Sequence, residues 1–312
     1  MELPSDVQDV RVVHFGLGSV GAAIVRTVAA REGLRSVAAF DATPGREGRD
    51  LAELAGLTAE TGVPVEASAS RLRDIEADVV LFAPDDDLDA AMTDLELLLE
   101  VGLNVVAILP ELAYPPDDGD DDLVGSIDTL AREAEVTALA LDPSDALLGT
   151  LPLAVTGICA RVDRLTVRRR GTPGALGRLS LGDWAGALSR ALGWPIDDFD
   201  EVEEDAPGQF GGRHRVVGSV GGAETLVVEV ETGAADEPPS LEVVVEGEPS
   251  LTLSLSGGST DEAALATLAV NAIPAVLTSD PGLYTLAELP PVHCWTSLGL
   301  MPANLDEYED DE

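Results

Sequence analysis

Val12-Val13-His14-Phe15-Gly16-Leu17-Gly18-Ser19-Val20-Gly21 carries an apolar stretch, begun at Arg11, through a glycine turn and into Ala22-Ala23-Ile24-Val25-Arg26-Thr27-Val28. The first part reads as a buried strand and the last as a helix. Between them each glycine has its own duty. Gly16 supplies turn angles closed to other residues, Gly18 lets a ligand's phosphates approach the main chain, and Gly21 lets the helix pack close on the strand. A second apolar strand, Ser36-Val37-Ala38-Ala39-Phe40, ends on Asp41, twenty residues beyond Gly21. Strand, GxGxxG turn, helix and acid at this spacing form a dinucleotide site. Its diphosphate lies along the loop from Gly16 through Leu17, Gly18, Ser19 and Val20 to Gly21, where free N–H groups and the helix dipole favour negative charge. Asp41 stands where a carboxylate accepts hydrogen bonds from the adenosine ribose, which favours NAD. Arg46 and Arg49, just beyond it, are placed to hold the 2′-phosphate of NADP instead.

Apolar strand-like runs then alternate with helical stretches: Asp78 to Phe82, Leu88 to Val101, Asn104 to Ile108, Leu123 to Glu135 and Thr137 to Leu141. Near-continuous apolar strands with helices between them mean a parallel, doubly wound sheet covered on both faces, an α/β Rossmann-type domain over residues 1–142. From Asp142 the pattern changes. A short helix (Ala146 to Cys159) leads to a strand (Arg161 to Arg169). The runs Arg213 to Val220, Thr225 to Glu231, Leu241 to Gly247 and Leu251 to Ser256 then alternate apolar and polar residues between Gly, Pro and Asp turns. This predicts a second, α+β domain over 143–300, built on a mainly antiparallel sheet with one open face and carrying the substrate and dimer contacts. A final helix, Asp261 to Leu277, is placed to pack back near the first domain and leads into Asp280-Pro281-Gly282. The acidic tail, 301–312, has little to bury and is expected to be disordered.

The formal charge of −40 arises from 58 acidic and 18 basic residues, and every basic residue is Arg, since the chain has no Lys. Such a charge repels itself unless salt screens it, and the screening length falls from about 10 Å at 0.1 M to about 3 Å at 1 M. The composition is that of a cytoplasmic protein from a salt-accumulating halophile. It argues against nucleic-acid binding, which needs clustered cations. The cluster Arg168-Arg169-Arg170 ends an apolar strand and is expected to pair with acids. No apolar run is long enough to cross a bilayer, and Met1-Glu2-Leu3-Pro4-Ser5-Asp6 lacks the features of a signal peptide. Cys159 and Cys294 are expected to be buried free thiols. Asp85-Asp86-Asp87 and Asp117-Asp118-Gly119-Asp120-Asp121-Asp122 read as solvated surface and helix-start charge, so no metal site is expected.

A nucleotide domain followed by an α+β domain is the plan of oxidoreductases that act on a small-molecule substrate. Without Lys there is no ammonium acid and no Schiff-base amine. The histidines are poor candidates: His14 packs beside the glycine turn, His214 starts a strand, and His293 lies near the C-terminus. A carboxylate remains. Asn104 to Ile108 opens into Leu109-Pro110-Glu111-Leu112-Ala113-Tyr114-Pro115, at the carboxyl end of a parallel strand, where ligands of such sheets bind. Glu111 is the candidate acid or base there and Tyr114 the second candidate; the alternative is that Glu111 merely caps the loop.

With the glycine turn, several segments together resemble one family. They are Gly48 to Gly56, Gly102 to Pro115, Thr150-Leu151-Pro152-Leu153 through Thr156-Gly157-Ile158-Cys159 to Arg161-Val162-Asp163-Arg164, and Val270-Asn271-Ala272-Ile273-Pro274 with Pro281-Gly282-Leu283. The family is that of 2,4-diaminopentanoate dehydrogenase and the native amine dehydrogenases, related in its N-terminal domain to dihydrodipicolinate reductase. The resemblance implies reversible oxidative deamination of an amine, or reductive amination of a carbonyl compound, by a nicotinamide-dependent homodimer. It also implies that the loop glutamate, here Glu111, handles the amine. The chain departs from the pattern twice on the substrate side. Asp142-Pro143-Ser144-Asp145 stands where relatives carry Asn-Pro-Gly-Phe, and Gly171-Thr172-Pro173-Gly174 replaces an arginine-rich stretch. A dihydrodipicolinate reductase proper is disfavoured, because its lysine and histidine-rich motif have no counterpart. An imine or carbonyl reductase and a non-catalytic NAD(H)-binding homologue stay open.

Overall fold

In a computed structural model that describes residues 9–84, 88–113, 122–142, 150–171, 181–204, 212–232, 239–257 and 261–295, the opening apolar run becomes the middle of a parallel sheet. The chain runs through β1 (Val10–Phe15), α1 (Ser19–Ala29), β2 (Leu34–Phe40), α2 (Leu51–Ala55), β3 (Val65–Glu66), β4 (Val79–Phe82), α3 (Leu88–Glu100), β5 (Asn104–Ile108), α4 (Pro110–Ala113), α5 (Asp122–Glu133) and β6 (Thr137–Leu141). The strand order is β13-β6-β5-β4-β1-β2-β3, where β13 (Gly282–Tyr284) returns from the far end of the chain to pair in parallel with β6. From β1 the chain first builds outward through β2 and β3, then crosses back to β4 on the other side. That reversal puts a switch point at the carboxyl ends of β1 and β4, where open α/β sheets bind ligands.

Continuous apolar strands are explained by burial on both faces. Val13, Val80, Val105 and Ala138 pack against α3, α4 and α5, while Val12, Leu81, Val106 and Leu139 pack against α1 and two C-terminal helices, α8 (Asp261–Asn271) and α9 (Ile273–Thr278). The helix expected as one piece over Asp261 to Leu277 is thus divided at Ala272, because Pro274 at the start of α9 has no N–H to give and crowds the preceding turn. Arg31, just beyond the end of α1, ties this segment down. It donates to the Asn271 side chain at 3.1 Å and the Trp295 carbonyl at 2.8 Å, and its guanidinium lies 4.7 Å over the Trp295 ring.

Between β6 and α8 lie α6 (Thr150–Thr156), β7 (Arg161–Gly171), α7 (Leu181–Ala191), β8 (Asp198–Glu204), β9 (Arg213–Val220), β10 (Ala223–Thr232), β11 (Ser240–Glu248) and β12 (Leu251–Ser256). These six strands form a second sheet, ordered β12-β11-β7-β10-β9-β8. It is mixed rather than wholly antiparallel, since β7 and β10 run parallel at its centre. One face packs Leu165, Val167, Val228 and Val243 on Trp184 and Leu188 of α7. The other carries Arg168 and Arg170 of the arginine cluster, while Arg169 between them is buried on the packed face. Arg168 stands opposite Glu229 on one neighbouring strand and Glu242 on the other, at 3.1 and 2.8 Å, and Arg170 meets Glu231 at 2.9 Å. Both cysteines are free, but they are not buried as expected: Cys159 is half-buried and Cys294 exposed, because both fall in irregular segments and not in strands. The acidic tail and the two aspartate runs, apart from Asp122, lie outside the described residues.

His14 is fully enclosed in β1. Its Nε2 meets the Ser36 hydroxyl at 2.9 Å, and burial pushes its pKa down to about 3. The folded chain therefore keeps His14 neutral where the unfolded chain takes up a proton. Stability is complete above about pH 6.5 and falls by about 1.4 kcal/mol per pH unit down to about pH 3. Denaturant melts at pH 7 and 5 are expected to differ by about 2 kcal/mol from this source, and His14→Gln is expected to flatten that slope. An equal slope in the variant would assign the acid sensitivity elsewhere.

Candidate functional site

The glycine turn sits at the switch point, and its geometry confirms the duties of two glycines. Gly16 has φ of +81°, and a Cβ there would lie 2.0 Å from the Ala83 carbonyl oxygen at the end of β4. At Gly21 a Cβ would lie 2.0 Å from the Gly16 carbonyl oxygen, so α1 packs directly on the turn. Phe15 braces the turn from below, edge-on to Phe82 at 5.1 Å and tilted to Phe40 at 5.8 Å. Gly18 is the N-cap of α1, in extended conformation, with no capping side chain and no acid in the first turn. In a chain so rich in acids, this helix start is left to its own N–H groups. Those of Ser19, Val20 and Gly21 have no partner within the helix and suit a diphosphate.

Asp41 is where the sequence placed it, at the tip of β2, but it is turned inward. It is 4% exposed and accepts from the Leu17 N–H at 2.7 Å, the Thr43 N–H at 2.8 Å and the Arg46 guanidinium at 2.5 Å. Burial alone would raise its pKa; the bonds from Thr43, Leu17 and Arg46 outweigh burial and hold it below the usual carboxylate range. Arg49 is directed away, to Glu53 at 2.7 Å.

Glu111 rides on α4, a single turn at the carboxyl end of β5. Leu112 and Ala113 donate to the Leu109 carbonyl and are buried in the core, which fixes the turn, and the Glu111 Oε2 atom is enclosed. Tyr114 lies outside the described residues. One residue escaped the sequence reading. Asp142 follows β6 directly and is 1% exposed. Alternation along β6 places it on the face of Ala138 and Ala140, the face that α4 covers. The signal available in the sequence was an acid closing an otherwise apolar parallel strand. Among the described residues no group of His, Cys, Asp and Glu is arranged to hold a metal. Nor is any helix there long and apolar enough to cross a membrane.

Two-domain architecture, switch point and glycine cradle define a nicotinamide-dependent oxidoreductase of Rossmann type. Comparison with known proteins shows what the chain resembles. Residues 206–301 match the 2,4-diaminopentanoate dehydrogenase C-terminal domain. The chain is 22% identical to the 2,4-diaminopentanoate dehydrogenase of Acetoanaerobium sticklandii, over 91% of this chain and 94% of that protein. Its fold is shared with the amine dehydrogenase from Mycobacterium smegmatis, at a TM-score of 0.78 and 20% identity over 92% of this chain and 98% of the other. A dihydrodipicolinate reductase from Paenisporosarcina sp. TG-14, with dipicolinate bound, shares it at 0.58 and 16%, over 90% and 99%. The chain is therefore similar to the 2,4-diaminopentanoate dehydrogenases, and the resemblance read in its sequence is borne out.

Proposed function

We propose that the chain is an NAD(P)-dependent amine dehydrogenase, converting a small amine and water to a carbonyl compound and ammonium, and the reverse. The observation that carries the reading is a carboxylate, Glu111, fixed on the rigid turn α4 at the same carboxyl edge as the glycine cradle. When bound, the nicotinamide takes or supplies the hydride. Gly16 to Gly21 would hold its diphosphate, with the amides of Ser19 and Val20 around it while the Leu17 N–H stays on Asp41, and Asp41 and Arg46 would stand at the adenosine ribose. Glu111 takes the proton from the substrate ammonium so that the nitrogen lone pair is free, and returns it in the reductive direction. Asp142, on the same face of the sheet, brings a second carboxyl group to that side of the site. Tyr114 is kept as the second proton-handling residue by its place in the same loop. The family match, the fold shared with an amine dehydrogenase and the placement of Glu111 all support this reading.

On the open face of the second sheet arginines pair with glutamates, so two copies of a −40 chain meet there with less repulsion than across unpaired acids. We therefore place a homodimer there, in a cytoplasm rich in salt, with residues 1–142, completed by α8, α9 and β13, as the cofactor domain and the second sheet with α7 as the substrate and dimer domain. In molar KCl the protein is expected to elute at twice the mass of one chain and to oxidise NADH or NADPH when given ammonium and a panel of small ketones. Turnover that needs no ammonium and yields an alcohol would assign a carbonyl reductase. Binding of the cofactor without turnover on any ketone would assign a non-catalytic homologue.

A further inference from the structure

The carboxylate that should choose between the two nicotinamide cofactors is already spoken for. A bare acid at the tip of β2 grips the ribose of NAD and repels the 2′-phosphate of NADP. Here the Asp41 side chain is 2% exposed, and Arg46, at 26%, covers it from the solvent side. We propose, resting on the reading of the glycine loop as a dinucleotide site, that Arg46 is the specificity-determining residue of this chain. It exchanges between Asp41 and the 2′-phosphate, so that NADP(H) and NAD(H) are both accepted.

Three features make the exchange inexpensive. First, Asp41 is not orphaned when Arg46 leaves, because the Leu17 N–H at 2.7 Å and the Thr43 N–H at 2.8 Å stay on its two oxygens. A buried carboxylate that loses all its partners costs several kcal/mol, whereas one that keeps two backbone donors costs far less. Second, Asp41 is the one partner of the Arg46 guanidinium among the described residues and engages a single nitrogen, so most of its five donors are free for a phosphate. Third, the turn that carries Arg46 has room. Gly45 and Gly48 flank it at φ of +85° and +77°, and a Cβ on either would meet nothing within 4 Å. Arg49, the other cation in reach by sequence, is held by Glu53 and does not compete. The Leu17 bond also gives Asp41 a duty apart from the ribose: it pins the glycine loop to β2 whichever cofactor is present.

The test is a fluorescence titration of NADH and of NADPH, which carry the same reporting ring, into wild type and Arg46→Ala in molar KCl. Wild type is expected to bind both within about tenfold. Arg46→Ala is expected to lose about 10- to 100-fold in NADPH affinity, the worth of a charge-assisted bond, and less than about threefold in NADH affinity. Retained NADH binding shows that the variant is folded. Wild type binding NADH but rejecting NADPH, or a variant that weakens both alike, overturns the exchange and leaves the dinucleotide site standing. Wild type that binds neither NADH nor NADPH overturns both.

Discussion

Glu111→Gln is expected to lower kcat for amine oxidation and for reductive amination by about 10² to 10⁴, the range for loss of a positioned acid or base. NADH affinity and melting temperature should stay near those of wild type. The substitution keeps the shape of the side chain and the turn that carries it, since α4 is fixed by Pro110, Leu112 and Ala113 in the core and by the bonds to the Leu109 carbonyl. What it removes is a group able to take a proton from an ammonium. A loss confined to kcat in both directions therefore identifies proton handling, whereas a rise in KM alone would reduce Glu111 to a substrate anchor. Rates within a few-fold of wild type would remove Glu111 from the chemistry.

Gly21→Ala is expected to be strongly destabilising. Its Cβ would stand 2.0 Å from the Gly16 carbonyl oxygen, and both groups are backbone, held between α1 and β4 with Gly16 itself against Ala83. Nothing flexible can move aside, so either α1 lifts or the turn opens; overpacking of this kind costs about 3 kcal/mol or more. Gly18→Ala separates folding from binding. Gly18 has φ of −62° in extended conformation, open to any residue. Its variant is expected to melt within a few degrees of wild type yet to bind either reduced cofactor at least about tenfold more weakly, because the new methyl occupies the line of approach of the diphosphate. Gly21→Ala melting like wild type, or Gly18→Ala binding like wild type, would show that the turn is not the cradle.

The parallel sheet was legible because burial on both faces leaves its strands almost without polar residues. Asn104 to Ile108 and Thr137 to Leu141 are read to the residue. The glycine turn was legible for a different reason: each of its constraints is steric and local. Direction and partnership were not. Alternating residues mark β7 and β10 as half-buried strands but carry no record that the two run parallel. β8, written Asp-Phe-Asp-Glu-Val-Glu-Glu, escaped because an edge strand in a chain this acidic looks like a solvated loop. α7 was missed as well, although Leu181, Trp184, Ala185 and Leu188 stand at helical spacing. At the site the sequence located Asp41 and Arg46 yet missed that the Leu17 N–H and the Arg46 guanidinium claim the carboxylate first, a bond network that spacing does not encode. Asp142 was visible only as a departure from a motif, and its burial beside α4 needed the β5–β6 register to be seen.

The most direct measurement is to follow the label from 4-deuterated NADH through a turnover with ammonium and a small ketone in molar KCl, analysing the product by mass spectrometry. Deuterium on the carbon that bears the new amino group is the expected result. Label on the carbinol carbon of an alcohol, or bound cofactor that never gives up its deuterium, would contradict it.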